Sequence, residues 1–192
     1  NCLPETEKNI DLLFVGTFRE LKGPDRVLEM IALLKKDFPA IHACLIGDGS
    51  LFHTCMNLSK TLGISGNVTF EGHLDEISDY YRRSKVFALP SQSEGLPTSM
   101  LEAMACGCVP VVSDVGNIRD TIRHAENGFL IRDYKDIRSF VHTIQVLLSD
   151  PSLRMVMGLN AAKTVQENYS VEHQVKVVER MIHILFPGYG NL

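Results

Sequence analysis

A chain of 192 residues is long enough to bury one sizeable core, and nothing in its length calls for two domains. Nineteen basic against 23 acidic residues leave a formal charge of −4, which excludes a global attraction to nucleic acid or an anionic membrane and requires any phosphate site to be local. Charge or Gly cuts every apolar stretch short of the roughly 18 residues of a membrane span, and residues 1–9 lack the basic start and apolar core of a signal peptide.

The predicted strands, in chain order, are the apolar runs Leu12 to Val15, His42 to Ile46, Val68 to Phe70, Val86 to Leu89, Val109 to Val112 and Gly128 to Ile131. Several are continuously apolar rather than alternating, the pattern of parallel strands covered on both faces. Helix-length segments separate them: Val27, Met30, Ile31 and Leu34 share one stripe, and Leu51, Cys55, Leu58 and Leu62 another before Gly63. Beyond the sixth strand the pattern turns helical. Ile137, Phe140, Val141, Ile144, Leu147 and Leu148 define one helix, Asp150-Pro151 breaks to a segment running toward Glu167, and Ser170 opens a last helix. That helix carries Val171, Val175 and Val178, whose spacing predicts packing against the core. Alternating strand and helix implies an α/β fold, a doubly wound parallel sheet of about six strands in three α/β/α layers.

Five Cys, odd in number and scattered, fit reduced cytosolic thiols better than a disulfide framework, and Cys106 and Cys108 alone make a weak zinc case. After the first strand, Gly16-Thr17-Phe18-Arg19-Glu20-Leu21-Lys22-Gly23 leads into a helix. Gly16 allows close approach of a ligand, and Lys22 can neutralise phosphate oxygens. The run is neither a Walker motif nor Gly-x-Gly-x-x-Gly, so an ordinary solvated turn is the alternative. Gly47-Asp48-Gly49-Ser50 reads as a turn in which Asp48 or Ser50 caps the next helix, with a nucleotide-proximal loop as the alternative.

The segment Glu94-Gly95-Leu96-Pro97-Thr98-Ser99-Met100-Leu101-Glu102 is more informative. Pro97 suits a first helical turn, the neighbouring amides have no intrahelical partner, and two acids flank that entrance. The arrangement suits a ligand with hydroxyls and phosphates. Glu102 could accept from two adjacent ribose hydroxyls and Glu94 could orient a sugar, or both could be solvated acids.

Residues 10 to 185 resemble the C-terminal nucleotide-sugar-binding domain of retaining glycosyltransferases of the glycosyltransferase family 4 type, which have the two-Rossmann-domain GT-B architecture. The resemblance rests on Glu94-x7-Glu102, the preceding Leu89-Pro90-Ser91 and the following Ala103-Met104-Ala105-Cys106-Gly107-Cys108-Val109-Pro110-Val111-Val112. Phe14-Val15-Gly16 with Lys22-Gly23, Ile46-Gly47-Asp48-Gly49, Phe70-Glu71-Gly72 and Gly128-Phe129-Leu130 fall at matching stations.

The resemblance implies a nucleoside diphosphate sugar donor (UDP-, GDP- or ADP-linked), no metal or other cofactor, and transfer to an acceptor hydroxyl with retention. It assigns Lys22 to the diphosphate, Glu102 to the ribose and Glu94 to the transferred sugar or nearby phosphate, making Lys22 and Glu94 the candidate catalytic residues. Gly16, Thr17, Arg19, Gly95, Leu96 and Thr98 complete the donor site. Thr17 stands where relatives commonly carry Arg, with Arg19 as a candidate substitute, and Gly116-Asn117-Ile118-Arg119-Asp120 replaces a paired-glycine stretch. The implied division is a leading linker over 1–9, the nucleotide-sugar-binding domain over 10–186 and a tail over 187–192. The resemblance further implies a missing N-terminal acceptor domain, and a cytoplasmic protein that meets the inner face of a membrane, if at all, through that domain. A nucleotide-binding regulatory module without transfer and a sugar-nucleotide epimerase are the alternatives.

Overall fold

The computed structural model describes residues 4–185, with the side chains of Gln174, Val177 and His183 outside the description. The tail over 187–192 and the first three residues of the leading linker lie outside it as well. Six strands, β1 (Ile10–Val15), β2 (Ala43–Ile46), β3 (Val68–Gly72), β4 (Ser84–Leu89), β5 (Val109–Ser113) and β6 (Phe129–Ile131), form one sheet in the order β3-β2-β1-β4-β5-β6. All five pairings are parallel. Every residue of β2 and β5 is buried, whereas the edge strands β3 and β6 are only partly so. This is why the central runs read as continuously apolar: each is covered by helices on both faces.

Helices α1 (Pro24–Leu34), α2 (Phe52–Thr61) and α5 (Ile137–Ser149) pack together on one side of the sheet. Helices α3 (Ser78–Arg83), α4 (Thr98–Ala105) and α6 (Pro151–Tyr169) form the opposite layer, and α7 (Val171–Leu185) lies against α6. Local chemistry sets most of the helix starts. Gly23 adopts a left-handed conformation (φ 72°) and Pro24 follows as the first helical residue of α1. Asp136 and Asp150 accept from the amides of Ser139 and Leu153 at the starts of α5 and α6, and Ser170 accepts from His173 N at 3.3 Å at the start of α7.

Three details depart from the sequence reading. Neither Asp48 nor Ser50 caps α2, which starts at Phe52 behind Leu51; Asp48 Oδ1 instead accepts from Gly49 N at 2.6 Å, closing its own turn. Helix α3 has too few residues to show a periodic stripe. The stripe of α7 does not enter the core: Val171, Val175 and Val178 are 75%, 48% and 52% exposed, because α7 packs chiefly against α6.

The segment before β1 is tied down. Glu5–Glu7 make a 3-10 turn, and buried Lys8 donates to Gly107 O at 2.7 Å. Glu5 pairs with buried Arg154 Nε of α6 at 2.6 Å. Among the described residues no helix is long and apolar enough to cross a membrane.

Candidate functional site

In this strand order the chain direction of growth reverses between β1 and β4, and the crevice outside the carboxyl ends of those strands is where open α/β sheets bind ligands. The loops leaving those two strands are the two singled out by sequence, 16–23 and 90–97. They are joined at several points. Gln92 N donates to Leu21 O at 2.8 Å, and Arg26 in the first turn of α1 donates through Nε to Pro90 O at 3.0 Å and through Nη2 to Glu20 O at 2.8 Å. Gly23 leaves the space for that guanidinium, since a Cβ there would fall 2.4 Å from Arg26 Nε.

Lys22 Nζ donates to both carboxylate oxygens of Glu94, each at 2.7 Å. The glutamate side chain is 6% exposed and the lysine 26%, so the pair is mostly buried and the lysine alone keeps an open side. A cation so placed can meet an anion arriving from solvent, and a bidentate carboxylate holds it in register until then.

The flanking loops set the floor and wall. Gly16 N donates to Ile46 O, Phe18 N to Asp48 O and Leu51 N to Phe18 O, which stacks the loop after β2 beneath the loop after β1. Gly47 makes that approach possible: at φ 130° its absent Cβ would lie 2.0 Å from Gly16 O. On the other side Asn117 N donates to Gly95 O at 3.1 Å, and Gly116 (φ 58°) lies so close that a Cβ would fall 1.8 Å from Glu94 O. Gly116-Asn117 thus acts as the backstop of the Glu94 loop, and Asp114 Oδ1 holds Arg119 Nη2 at 3.0 Å across the same turn.

Pro97 precedes the helix as its cap residue and α4 begins at Thr98, one position later than a proline inside the first turn would require. The amides of Met100 and Leu101 bond back to Pro97 O, so those of Thr98 and Ser99 are the orphan donors at the helix start. Thr17, Arg19, Gly95 and Thr98 are exposed, and Gly16 and Leu96 partly so, on the loops that leave β1 and β4 and at the start of α4. The space around Gly95 is open, with no atom within 4 Å of where a Cβ would be.

Glu102 stands apart from the Lys22–Glu94 pair. It is exposed in the second turn of α4, and Tyr81 of α3 donates its hydroxyl to Glu102 Oε2 at 2.7 Å. Burial, reinforced by the bond to Glu102, pushes the Tyr81 phenol well above its ordinary range, so it remains a neutral donor. Sequence reasoning marked the Gly116-Asn117 stretch but missed Tyr81 and Arg26, which act through contacts 21 and 64 residues away in the chain. Among the described residues no three His, Cys, Asp or Glu side chains gather as a metal-holding group.

The family described as Glycosyl transferases group 1 matches residues 3–164. An uncharacterized glycosyltransferase of Haemophilus influenzae is 32% identical over 179 residues, covering 93% of this chain and 49% of its own length. Among solved structures, a TarM variant of S. aureus in complex with fondaparinux, alpha-GlcNAc-glycerol and UDP superposes with TM-score 0.84 at 23% identity, covering 94% of this chain and 37% of that one. The C-terminal domain of the group 1 family glycosyl transferase LpcC from Francisella tularensis superposes with TM-score 0.76 at 24% identity, covering 83% of this chain and 86% of that domain. The chain spans about half the length of the curated relatives it matches. The family match over most of the chain, with a parallel sheet in this order, leads to one assignment: the chain belongs to the glycosyl transferases group 1 family and has the architecture of the C-terminal half of a GT-B fold.

Proposed function

We propose that this chain is the donor-binding half of a retaining glycosyltransferase, which takes a nucleoside diphosphate sugar and passes its sugar to an acceptor hydroxyl. The observation that carries the reading is the partly exposed Lys22, fixed at 2.7 Å by Glu94 where β1 and β4 end side by side. The presence of UDP in the TarM complex supports a nucleoside diphosphate as a ligand of this fold.

Lys22 and the amides of Thr98 and Ser99 face the diphosphate. As the bond from the anomeric carbon to the diphosphate breaks, its electron pair leaves on phosphate oxygen, and these fixed donors neutralise the growing charge without reorganising. Glu94 shares Lys22 with the phosphate and accepts from hydroxyls of the transferred sugar. Glu102 accepts from the ribose and is a binding group, not a proton-transfer catalyst. Gly16, Thr17, Arg19, Gly95 and Leu96 shape the pocket. The acceptor and the residues that activate it belong to the other half of a GT-B enzyme, so residues 10–186 form the donor unit, with 1–9 the linker into it and 187–192 a tail. The whole enzyme works in the cytoplasm, and any contact with a membrane face comes through the other half.

Calorimetric titration of the chain with UDP, GDP and ADP and their sugar conjugates tests this. Lys22→Ala should weaken the diphosphate ligands by about 1.5–3 kcal/mol, the value of a hydrogen bond to a charged group, and leave a bare nucleoside unaffected. Glu102→Ala should weaken both. Binding that is absent in a folded chain, or unchanged in both variants, contradicts the proposed site.

A further inference from the structure

Glu102 has the right chemistry for a pair of adjacent hydroxyls but the wrong local setting. An acid in the second turn of an exposed helix face turns freely among rotamers, and a freely turning carboxylate discriminates poorly between one hydroxyl pattern and another. The structure supplies a restraint from a different element. Tyr81 is 2% exposed, its ring held between α3 and the sheet, and its hydroxyl reaches out of that buried position to Glu102 Oε2 at 2.7 Å. An ionised carboxylate offers about four acceptor positions. The phenol occupies one on Oε2, which leaves the second on Oε2 and both on Oε1 for a ligand.

We propose that Tyr81 is a positioning residue of the donor site, locking the Glu102 carboxylate so that its two oxygens face the ribose 2′ and 3′ hydroxyls together. This rests on the reading of Glu102 as the ribose contact. The phenol touches no ligand itself; it acts by removing the rotamer freedom that Glu102 would otherwise lose on binding. The rival explanation is that a buried phenol merely reaches the nearest acceptor to satisfy its own hydroxyl. In that case its removal changes stability and leaves ligand discrimination alone.

The test uses the whole chain and compares UDP, GDP and ADP with their 2′,3′-dideoxy counterparts by calorimetric titration. For the base that binds, the wild type should prefer the ribonucleotide, and Glu102→Gln should largely abolish the preference. Tyr81→Phe, which keeps the ring and removes only the hydroxyl, should cut the preference by about tenfold, equivalent to one interaction of modest strength, while affinity for the dideoxy ligand stays put. Glu102→Asp, which retracts the carboxylate from Tyr81 and from the ribose alike, should lose at least that factor, and a urea melt of each variant separates a lost preference from a lost fold. In the Glu102→Gln background, Tyr81→Phe should change nothing further. A preference that Glu102→Gln removes and Tyr81→Phe leaves whole overturns the role of Tyr81 alone. A wild type without any preference overturns the ribose assignment of Glu102, and the role of Tyr81 with it.

Discussion

At the scale of single residues, the site is governed by what is absent as much as by what is present. The missing Cβ of Gly116 is what lets the turn after β5 press on the carbonyl of Glu94. Gly116→Ala would place a methyl group 1.8 Å from that oxygen at a left-handed φ of 58°, so the loop must move and Glu94 must leave Lys22. We expect a loss of about 1–3 kcal/mol in urea melts from backbone strain, together with weaker binding of nucleoside diphosphate sugars. Gly95→Ala is the control: its Cβ meets open space and should change stability by less than about 0.5 kcal/mol. Equal effects at the two positions would show that the backstop is not the cause. The residue scale is also where sequence was least sufficient. Lys22 and Glu94 were each legible as candidates, yet their pairing spans 72 residues and no local pattern encodes it.

Among the elements, the main surprise lies far from the crevice, where a short leading segment is bolted to two helices by one buried arginine. Arg154, 4% exposed in the first turn of α6, pairs with Glu5 and donates through Nη1 to the carbonyl of Leu147 and, at 3.4 Å, to that of Leu148. Those carbonyls belong to the last turn of α5, which has no further helical donors, so the arginine closes α5 while it anchors the segment before β1. Lys8 extends the network to Gly107, just past the end of α4. Arg154→Met would leave the Glu5 carboxylate with Lys8 at 3.4 Å as its remaining cation and strip the two carbonyls of a donor. Removing one partner of a buried pair of this kind costs on the order of 3 kcal/mol, readable as a lowered urea midpoint. A Glu5→Gln background should shrink that loss, and an equal loss in both backgrounds would exclude the pair as its source. The apolar period of α5 and the Asp150-Pro151 break were legible in sequence, because caps and stripes are local. The link from α6 back to Glu5 was not, since it is a contact across 149 residues.

For the molecule as a whole, burial dominates. Cys44 and Cys108 are pushed up to about 12 and Cys55 to about 11 by burial in the core, so all three stay protonated where an unfolded thiol would ionise near 9.0. Because the folded-state values are raised, their contribution to stability is fully present below pH 9 and is lost as pH rises toward 11 and 12. Urea midpoints should therefore fall between pH 8 and pH 10.5, and a Cys44→Val, Cys108→Val double variant should fall less steeply. Identical slopes in the two proteins would rule out the thiols as the cause. What the sequence determined by itself was the sheet: runs such as Val109 to Val112 are apolar at every position, and only a strand covered on both faces tolerates that in water. It also marked the loops of the candidate site, through glycines, a lysine and two spaced acids. Only the tertiary structure decided which of those groups meet, that Glu94 holds Lys22 while Tyr81 holds Glu102, and that the stripe of α7 stays exposed. Periodicity reports how a residue sits on its own element; a contact between elements depends on where packing of the whole chain brings them, and no local pattern carries that information.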